Sequence, residues 1–112
     1  MRGAGVQSRS GGSLVSVTRF RLRRRYDSSM FAAAVPELDR VATGLAADAG
    51  AKLTSQATSI VAGRRSRVYR YRNTKIGFVL AGRFEYQLLC RSPGGGDPGG
   101  ACALLFSSFG IS

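Results

Sequence analysis

The sequence predicts an α+β fold, in which an antiparallel β-sheet is covered by a long helix and a short C-terminal helix. Three observations predict it. Lys75 to Arg91 contains two alternating strands around Gly82-Arg83, a two-residue loop with glycine first, as in a type II′ hairpin. Apolar residues recur at helical spacing after Asp27 and again in Ala101 to Phe109. The order of elements is then strand, helix, strand, strand, strand, helix.

The length of 112 residues is that of one domain with a modest core. Met1 to Ser13 consists mainly of glycine, serine and arginine, so residues 1–13 are expected to form a flexible lead-in and residues 14–112 the single domain. Met1 to Ser13 lacks the apolar stretch of a signal peptide. No run in the sequence reaches the length of a transmembrane segment.

The first predicted strand is Leu14 to Leu22, which is rich in β-branched and aromatic residues. Its alternation separates an apolar face from a basic face that we expect to be solvated. The apolar face carries Thr18, Phe20 and Leu22, and the basic face carries Arg19, Arg21 and Arg23.

The long helix follows this strand. Asp27 or Ser28 is expected to cap a helix start. Because proline removes a hydrogen bond from a helix interior, Pro36 is expected to begin the main helix after a short turn. The main helix should run to Ala49 and end at Gly50.

A second β region spans Thr54 to Asn73, with a bend or bulge at Gly63 and a turn at Asn73-Thr74. The hairpin that follows is expected in the middle of the sheet. One face of its second strand carries Phe84, Tyr86, Leu88 and Cys90.

The two cysteines flank a loop of glycine and proline. Cys90 closes the last strand and Cys102 lies on the apolar face of the last helix, so a disulfide between them would hold the ends of this loop together. The alternative is two buried free thiols in a cytosolic protein. Two cysteines without histidine do not complete a four-ligand zinc site unless carboxylates or a second chain contribute. No metal and no other cofactor is expected.

Catalysis is not predicted. The sequence contains no histidine, so the usual general base and the Ser-His pair are absent, and its six carboxylates are scattered. Gly94 to Gly96 is not followed by the Lys-Ser/Thr of a phosphate-binding loop. We therefore expect a protein that is not an enzyme.

The net charge of +11 favours polyanionic partners. The alternatives are arginines that solvate a sheet face, and the composition of a high-GC genome, in which arginine and alanine are common. Lys75 to Val79 resembles part of an RNA-binding strand motif, but Ile76 replaces its glycine and a second strand follows in place of a helix. Weak, non-specific polyanion binding remains open. Its candidate residues are Arg19, Arg21, Arg23, Arg65, Arg67, Arg70 and Arg72.

Four segments carry a resemblance to a known family: PELDRVATGLAADAG, VAGRRSRVYRYR, FVLAGRFEYQLLCR and ACALLFSSF. Together they resemble small actinobacterial secreted proteins and lipoproteins of unknown function with a PsbP-like α+β sandwich. The resemblance covers Leu14 to Phe109 and implies pairing of Cys90 with Cys102. It also implies one or two strands before Leu14, preceded by a signal or lipobox sequence. Neither is recognisable in the sequence, so the chain is expected to be an N-terminally shortened member.

The resemblance implies a non-catalytic accessory or binding module outside the cytoplasm, secreted or lipid-anchored in a full-length form. Its partner would be an unknown protein or a small ligand. The alternative is a basic cytoplasmic module that binds nucleic acid through an arginine-rich face of the sheet.

Overall fold

The computed structural model describes residues 4–10, 13–92 and 100–111 of the chain. It has the predicted α+β architecture, with a helix on each face of an antiparallel sheet. The elements are β1 (Ala4–Ser10), β2 (Ser13–Tyr26), a 3₁₀ turn (Ser28–Met30), α1 (Phe31–Asp48), β3 (Ser55–Val61), β4 (Arg64–Tyr71), β5 (Thr74–Arg91) and α2 (Gly100–Ser108).

The strand β5 folds back on itself at Gly82. Eighteen extended residues would span about 60 Å, but the longest dimension of the molecule is 38 Å. The two ends of β5 also meet, since the Ser92 N–H donates to the Asn73 carbonyl at 3.0 Å. Gly82 has a φ of +58°, whereas Arg83 does not have a positive φ, as a type II′ turn requires. The predicted hairpin is confirmed, and its two arms lie before and after this turn.

The hairpin β5 lies at the centre of the sheet, as predicted. The order of elements is β1-β2-β5-β4-β3, with antiparallel pairing between neighbours. The second arm of β5 pairs with β2, in a register that matches Leu14 with Arg91. The first arm pairs with β4, in a register that matches Tyr71 with Thr74. The two arms therefore separate β2 from β4.

The strand β1 corrects the prediction for the N-terminal residues. We expected residues 1–13 to be a flexible lead-in without a strand, but Ala4–Ser10 pairs with β2 along its whole length. The glycine and serine content of β1 gives it little β-propensity of its own. Its strand conformation comes instead from backbone pairing with a long neighbour.

The helix α1 corrects the role of Pro36. We expected the main helix to begin at Pro36, but α1 begins at Phe31 and contains Pro36 in its second turn. The hydrogen bond that proline cannot make would have gone to the carbonyl of Ala32, an exposed residue whose carbonyl water can solvate. Asp27 caps the preceding 3₁₀ turn by accepting a hydrogen bond from the Ser29 N–H at 2.8 Å, which confirms the predicted cap.

Two short turns also differ from the prediction. Gly63 belongs to a hairpin turn between β3 and β4, in which Ala62 and Gly63 have φ values of +54° and +72° as in a type I′ turn. The next turn consists of Arg72 and Asn73, one residue earlier than expected. Both turns fix the register of β4 with its neighbours. The odd-numbered side chains of β4 lie under α1.

Each face of the sheet has its own apolar core. Buried side chains of α1 pack on the sheet with Tyr69, Ile76 and Phe78. On the other face, α2 packs against Val79 and Leu88. Val79 and Leu88 belong to opposite arms of the hairpin and lie in the same buried cluster on this face.

The helix α2 is joined to β5 by a disulfide between Cys90 and Cys102, whose Cα atoms lie 5.4 Å apart. Both cysteines are buried. The pairing was one of two alternatives from the sequence, and the structure supports it. Phe106 of α2 lies directly over Gly77, where a side chain would meet its ring: a Cβ at position 77 would be 2.6 Å from Cε2.

Candidate functional site: a cleft between β2 and α1

The candidate site begins at an irregularity in β2. Regular pairing with β5 extends from Leu14 to Arg21 and resumes only where Tyr26 faces Gly82. Residues 22–25 lie in this irregularity, which shifts the register of the strand. Arg23, Arg24 and Arg25 are all exposed there, and Leu22 and Tyr26 pack against the core under α1.

A cleft of about 380 Å³ lies between this part of β2, the first half of α1 and the β5 hairpin. Its apolar lining comes from all three elements and includes the buried side chains of Leu38 and Leu80. The apolar lining residues are Leu22, Tyr26, Met30, Ala34, Leu38 and Leu80.

The charged residues of the cleft are two arginines and two glutamates. Arg23 and Arg24 contact no carboxylate among the described residues. Glu37 instead forms an ion pair with Arg40 on the exposed side of α1. Glu85 accepts a hydrogen bond from the Gln87 side chain at 2.9 Å.

Tyr26 connects this cleft to a second cavity of about 270 Å³, since Tyr26 and Leu80 line both. The second cavity contains Arg64 and Arg65 at the start of β4. Arg65 donates a hydrogen bond to the Ser28 carbonyl at 3.0 Å. Burial raises the pKa of the Tyr26 hydroxyl, against the opposing effect of Arg65. At neutral pH this hydroxyl therefore keeps its proton and can donate a hydrogen bond.

The seven arginines predicted for polyanion binding lie on two strands and one turn of the sheet. Arg19, Arg21 and Arg23 are exposed on β2, and the Arg19 guanidinium stacks on the Phe84 ring at 4.4 Å. Both arms of β5 separate these residues from β4. The strands β2 and β4 are therefore three strand spacings of about 4.8 Å apart, which is about 14 Å across the sheet.

The β4 arginines do not all share one face. Arg65 and Arg67 lie on the α1 side, where Arg65 stacks over the Phe31 ring at 4.9 Å and Arg67 pairs with Asp39 at 3.1 Å. Arg70 alternates with them and pairs in register with Lys75. Arg72, in the following turn, donates to the Gly50 carbonyl at 2.8 Å. The structure thus does not bring the seven together into one surface.

In residues 4–10, 13–92 and 100–111, no three histidine, cysteine, aspartate or glutamate side chains cluster in a way that could hold a metal ion. Over the same ranges, no helix has both the length and the apolar character needed to cross a membrane.

Comparison of the chain with protein-family models, with curated proteins and with solved structures found no match.

Sequence reasoning identified Arg23 but not the cleft beside it. The available signal was the loss of alternation after Leu22, where three consecutive arginines precede Tyr26. The predicted strand ends at Leu22, before these arginines. In the structure, β2 continues through them, and the irregularity brings two of them to the cleft.

Proposed function

We propose that this protein is a non-catalytic binding module that holds a small ligand with an apolar body in the cleft between β2 and α1. The observation that carries the proposal is the cleft itself, with about 380 Å³ of space and a mainly apolar lining. Small-molecule sites occupy about 300–1,000 Å³ and combine an apolar lining with a few polar groups. Arg23, Arg24 and the Tyr26 hydroxyl are the polar groups available here.

The chemistry of the cleft favours binding over catalysis. The chain has no histidine to act as a general base near neutral pH. The two carboxylates of the cleft, Glu37 and Glu85, are engaged by Arg40 and by Gln87. Binding an apolar body requires none of these groups.

We also propose that the chain is PsbP-like and acts outside the cytoplasm. The motif GR-x-EYQLLCR supports the relationship, and the cysteine at its end belongs to the Cys90–Cys102 pair. Disulfides persist mainly in oxidising compartments, so this pair favours the extracytoplasmic location.

The alternative function, recognition of nucleic acid by an arginine-rich sheet face, is less well supported. Such a face needs its basic side chains on one surface. Arg65 and Arg67 are instead engaged with groups on the α1 side, and Arg19 lies on another strand beyond both arms of β5. Weak attraction of polyanions by the net charge of +11 does not require a common face.

The cleft can be tested with a neutral apolar dye, N-phenyl-1-naphthylamine, whose fluorescence rises when it leaves water. We expect saturable binding to the wild-type protein. Ala34 is half-buried in the lining of the cleft, so Ala34→Phe should fill the space and abolish binding. Ala33→Phe adds the same ring at an exposed neighbouring position and should leave binding unchanged.

Unfolding curves for both variants would establish whether each variant is folded under the conditions of the binding assay. Equal dye binding by wild type and a folded Ala34→Phe variant would contradict the proposal, because the dye would then bind elsewhere.

A further inference from the structure

We infer that the ligand of the cleft is an anionic amphiphile, with a single acyl chain on the apolar lining and an acidic head group at Arg23 and Arg24. This inference rests on the proposed function and adds the chemical class of the ligand. Three features of the described residues carry it: the position of the two arginines, the balance of charge around the cleft, and the hydroxyl group of Tyr26.

The two arginines are placed to receive an acid. Arg23 and Arg24 lie in the irregular segment of β2, and both are exposed and line the cleft. Neither forms an ion pair with a carboxylate of the described residues. Their guanidinium groups can therefore form charge-assisted, bidentate hydrogen bonds with a carboxylate or phosphate without first breaking an internal pair.

The charge around the cleft is effectively positive. Arg40 neutralises Glu37, which leaves Glu85 as the one remaining acidic group of the cleft. Arg64 is a further exposed base in the adjoining cavity. The net charge of +11 adds an attractive field of long range. An anionic head group is favoured by this arrangement, and a cationic one is repelled.

Tyr26 supplies a neutral donor between the two cavities. Its hydroxyl forms no hydrogen bond within the described residues, and its raised pKa keeps it protonated at neutral pH. A head group at the rim can thus accept from Tyr26 as well as from the arginines. The acid remains at the edge of the cleft, where water completes its solvation, and the chain lies along the apolar lining.

A single acyl chain with an acidic head occurs as a free carboxylic acid and as part of a membrane lipid. The cleft favours the free form, because its apolar lining lies under the helix α1, where Leu38 and Leu80 are buried. A headgroup bound at a membrane surface would engage exposed arginines without filling this space.

The test compares decanoate with 1-decanol, which has the same chain and no charge, by isothermal titration calorimetry at physiological ionic strength. We expect decanoate to bind at least ten-fold more tightly. The Arg23→Gln/Arg24→Gln variant should lose this preference and keep its affinity for decanol. Arg19→Gln/Arg21→Gln removes the same charge from the same strand, but Arg19 and Arg21 do not line the cleft, so the preference should remain.

The outcomes separate this inference from the proposed function. Equal affinity for the acid and the alcohol would overturn the inference and leave the apolar binding site in place. Loss of the preference in the Arg19→Gln/Arg21→Gln control would also overturn it, because the effect would then come from total charge. Failure of decanol, decanoate and the neutral dye to bind would overturn both.

A vesicle arm distinguishes the two sources of the acid. Vesicles of phosphatidylglycerol and of phosphatidylcholine are sedimented with the wild-type protein. Co-sedimentation with phosphatidylglycerol through Arg23 and Arg24, with no binding of monomeric decanoate, would overturn the inference in favour of a membrane surface. Binding of monomeric decanoate, with the protein left in the supernatant of both vesicle samples, supports the free acid.

Discussion

Asp39 on α1 accepts a hydrogen bond through its Oδ1 atom from the hydroxyl group of Tyr69 on β4. The Nε atom of Arg67 donates to the same oxygen at 3.2 Å. The aromatic ring of Tyr69 is fully buried and makes an edge-on contact with Phe78, at 5.6 Å between ring centroids. A polar cluster thus joins the helix to the sheet at the edge of an apolar core.

The first prediction concerns this cluster. Tyr69→Phe removes the hydroxyl and leaves the ring, so its effect isolates the hydrogen bond to a charged acceptor. We expect the free energy of unfolding in urea to fall by about 1.5–3 kcal/mol. Tyr71→Phe is the matched control, because Tyr71 lies on the same face of β4 and its hydroxyl makes no hydrogen bond within the described residues. A loss of stability in the control as large as in Tyr69→Phe would contradict this account.

The second prediction is a pH dependence. Burial is the main effect that raises the pKa of the Tyr69 hydroxyl above its ordinary value, and the hydrogen bond with Asp39 raises it further. An unfolded tyrosine loses its proton near pH 10, so above about pH 10 the unfolded state binds fewer protons than the folded state. Stability therefore falls as pH rises through this range, and the contribution of Tyr69 is fully present below it.

Urea unfolding at a series of alkaline pH values would measure the effect. Tyr69→Phe has no proton to lose at this position, so its stability should fall less steeply than that of the wild type above about pH 10. Parallel curves for the two proteins would show that Tyr69 titrates alike in the folded and unfolded states.

Local signals in the sequence predicted much of the fold. Gly82-Arg83 specified a turn by the φ that glycine allows, and Asp27 specified a cap by its side-chain acceptor. Both depend on residues close together in the chain. Pro36 misled the prediction, because its cost depends on whether the carbonyl it leaves without a donor is exposed, which only the folded structure shows.

Long-range pairing explains what the sequence did not predict. β1 has few β-forming residues, and only its alignment with β2 from Ala4 to Ser10 makes it a strand. The cleft likewise requires β2, α1 and β5 to meet. Residues 22–24 of the irregular segment supply part of its lining, and their one local signal, the loss of alternation after Leu22, does not show which elements they will meet.

The third prediction tests the disulfide. Under non-reducing conditions, mass spectrometry should find the protein two hydrogens lighter than its reduced form, because Cys90 and Cys102 are paired. Cys90 and Cys102 are 12 positions apart in the sequence, and closing a loop of this size stabilises by about 3 kcal/mol in the chain-entropy model. The Cys90→Ser/Cys102→Ser variant should therefore unfold at lower urea concentration. Two alkylated cysteines in protein purified under oxidising conditions would contradict the pairing.

The fourth prediction concerns the core beneath α2. Leu88 is fully buried with Val79 and Val61, and α2 covers this cluster. Leu88→Ala should lower the free energy of unfolding by about 2–5 kcal/mol, through lost burial and the cavity that remains. Leu104 lies on α2 itself and is 66% exposed, so Leu104→Ala should change stability by less than about 0.5 kcal/mol. Similar effects for the two substitutions would mean that α2 does not cover this face.

The last prediction uses two glycines that differ in backbone conformation. Gly82 has a φ of +58° in the central hairpin, with open space around the position of a Cβ. Alanine there would meet no neighbouring atom but would be held in the left-handed region, so Gly82→Ala should destabilise by about 1–2 kcal/mol. Gly44 lies exposed within α1 with equally open surroundings and no positive φ. Gly44→Ala should therefore stabilise by about 0.5–1 kcal/mol, since alanine loses less conformational freedom in a helix. The pair should shift the urea midpoint in opposite directions, and a shift in the same direction would contradict the backbone assignment at Gly82.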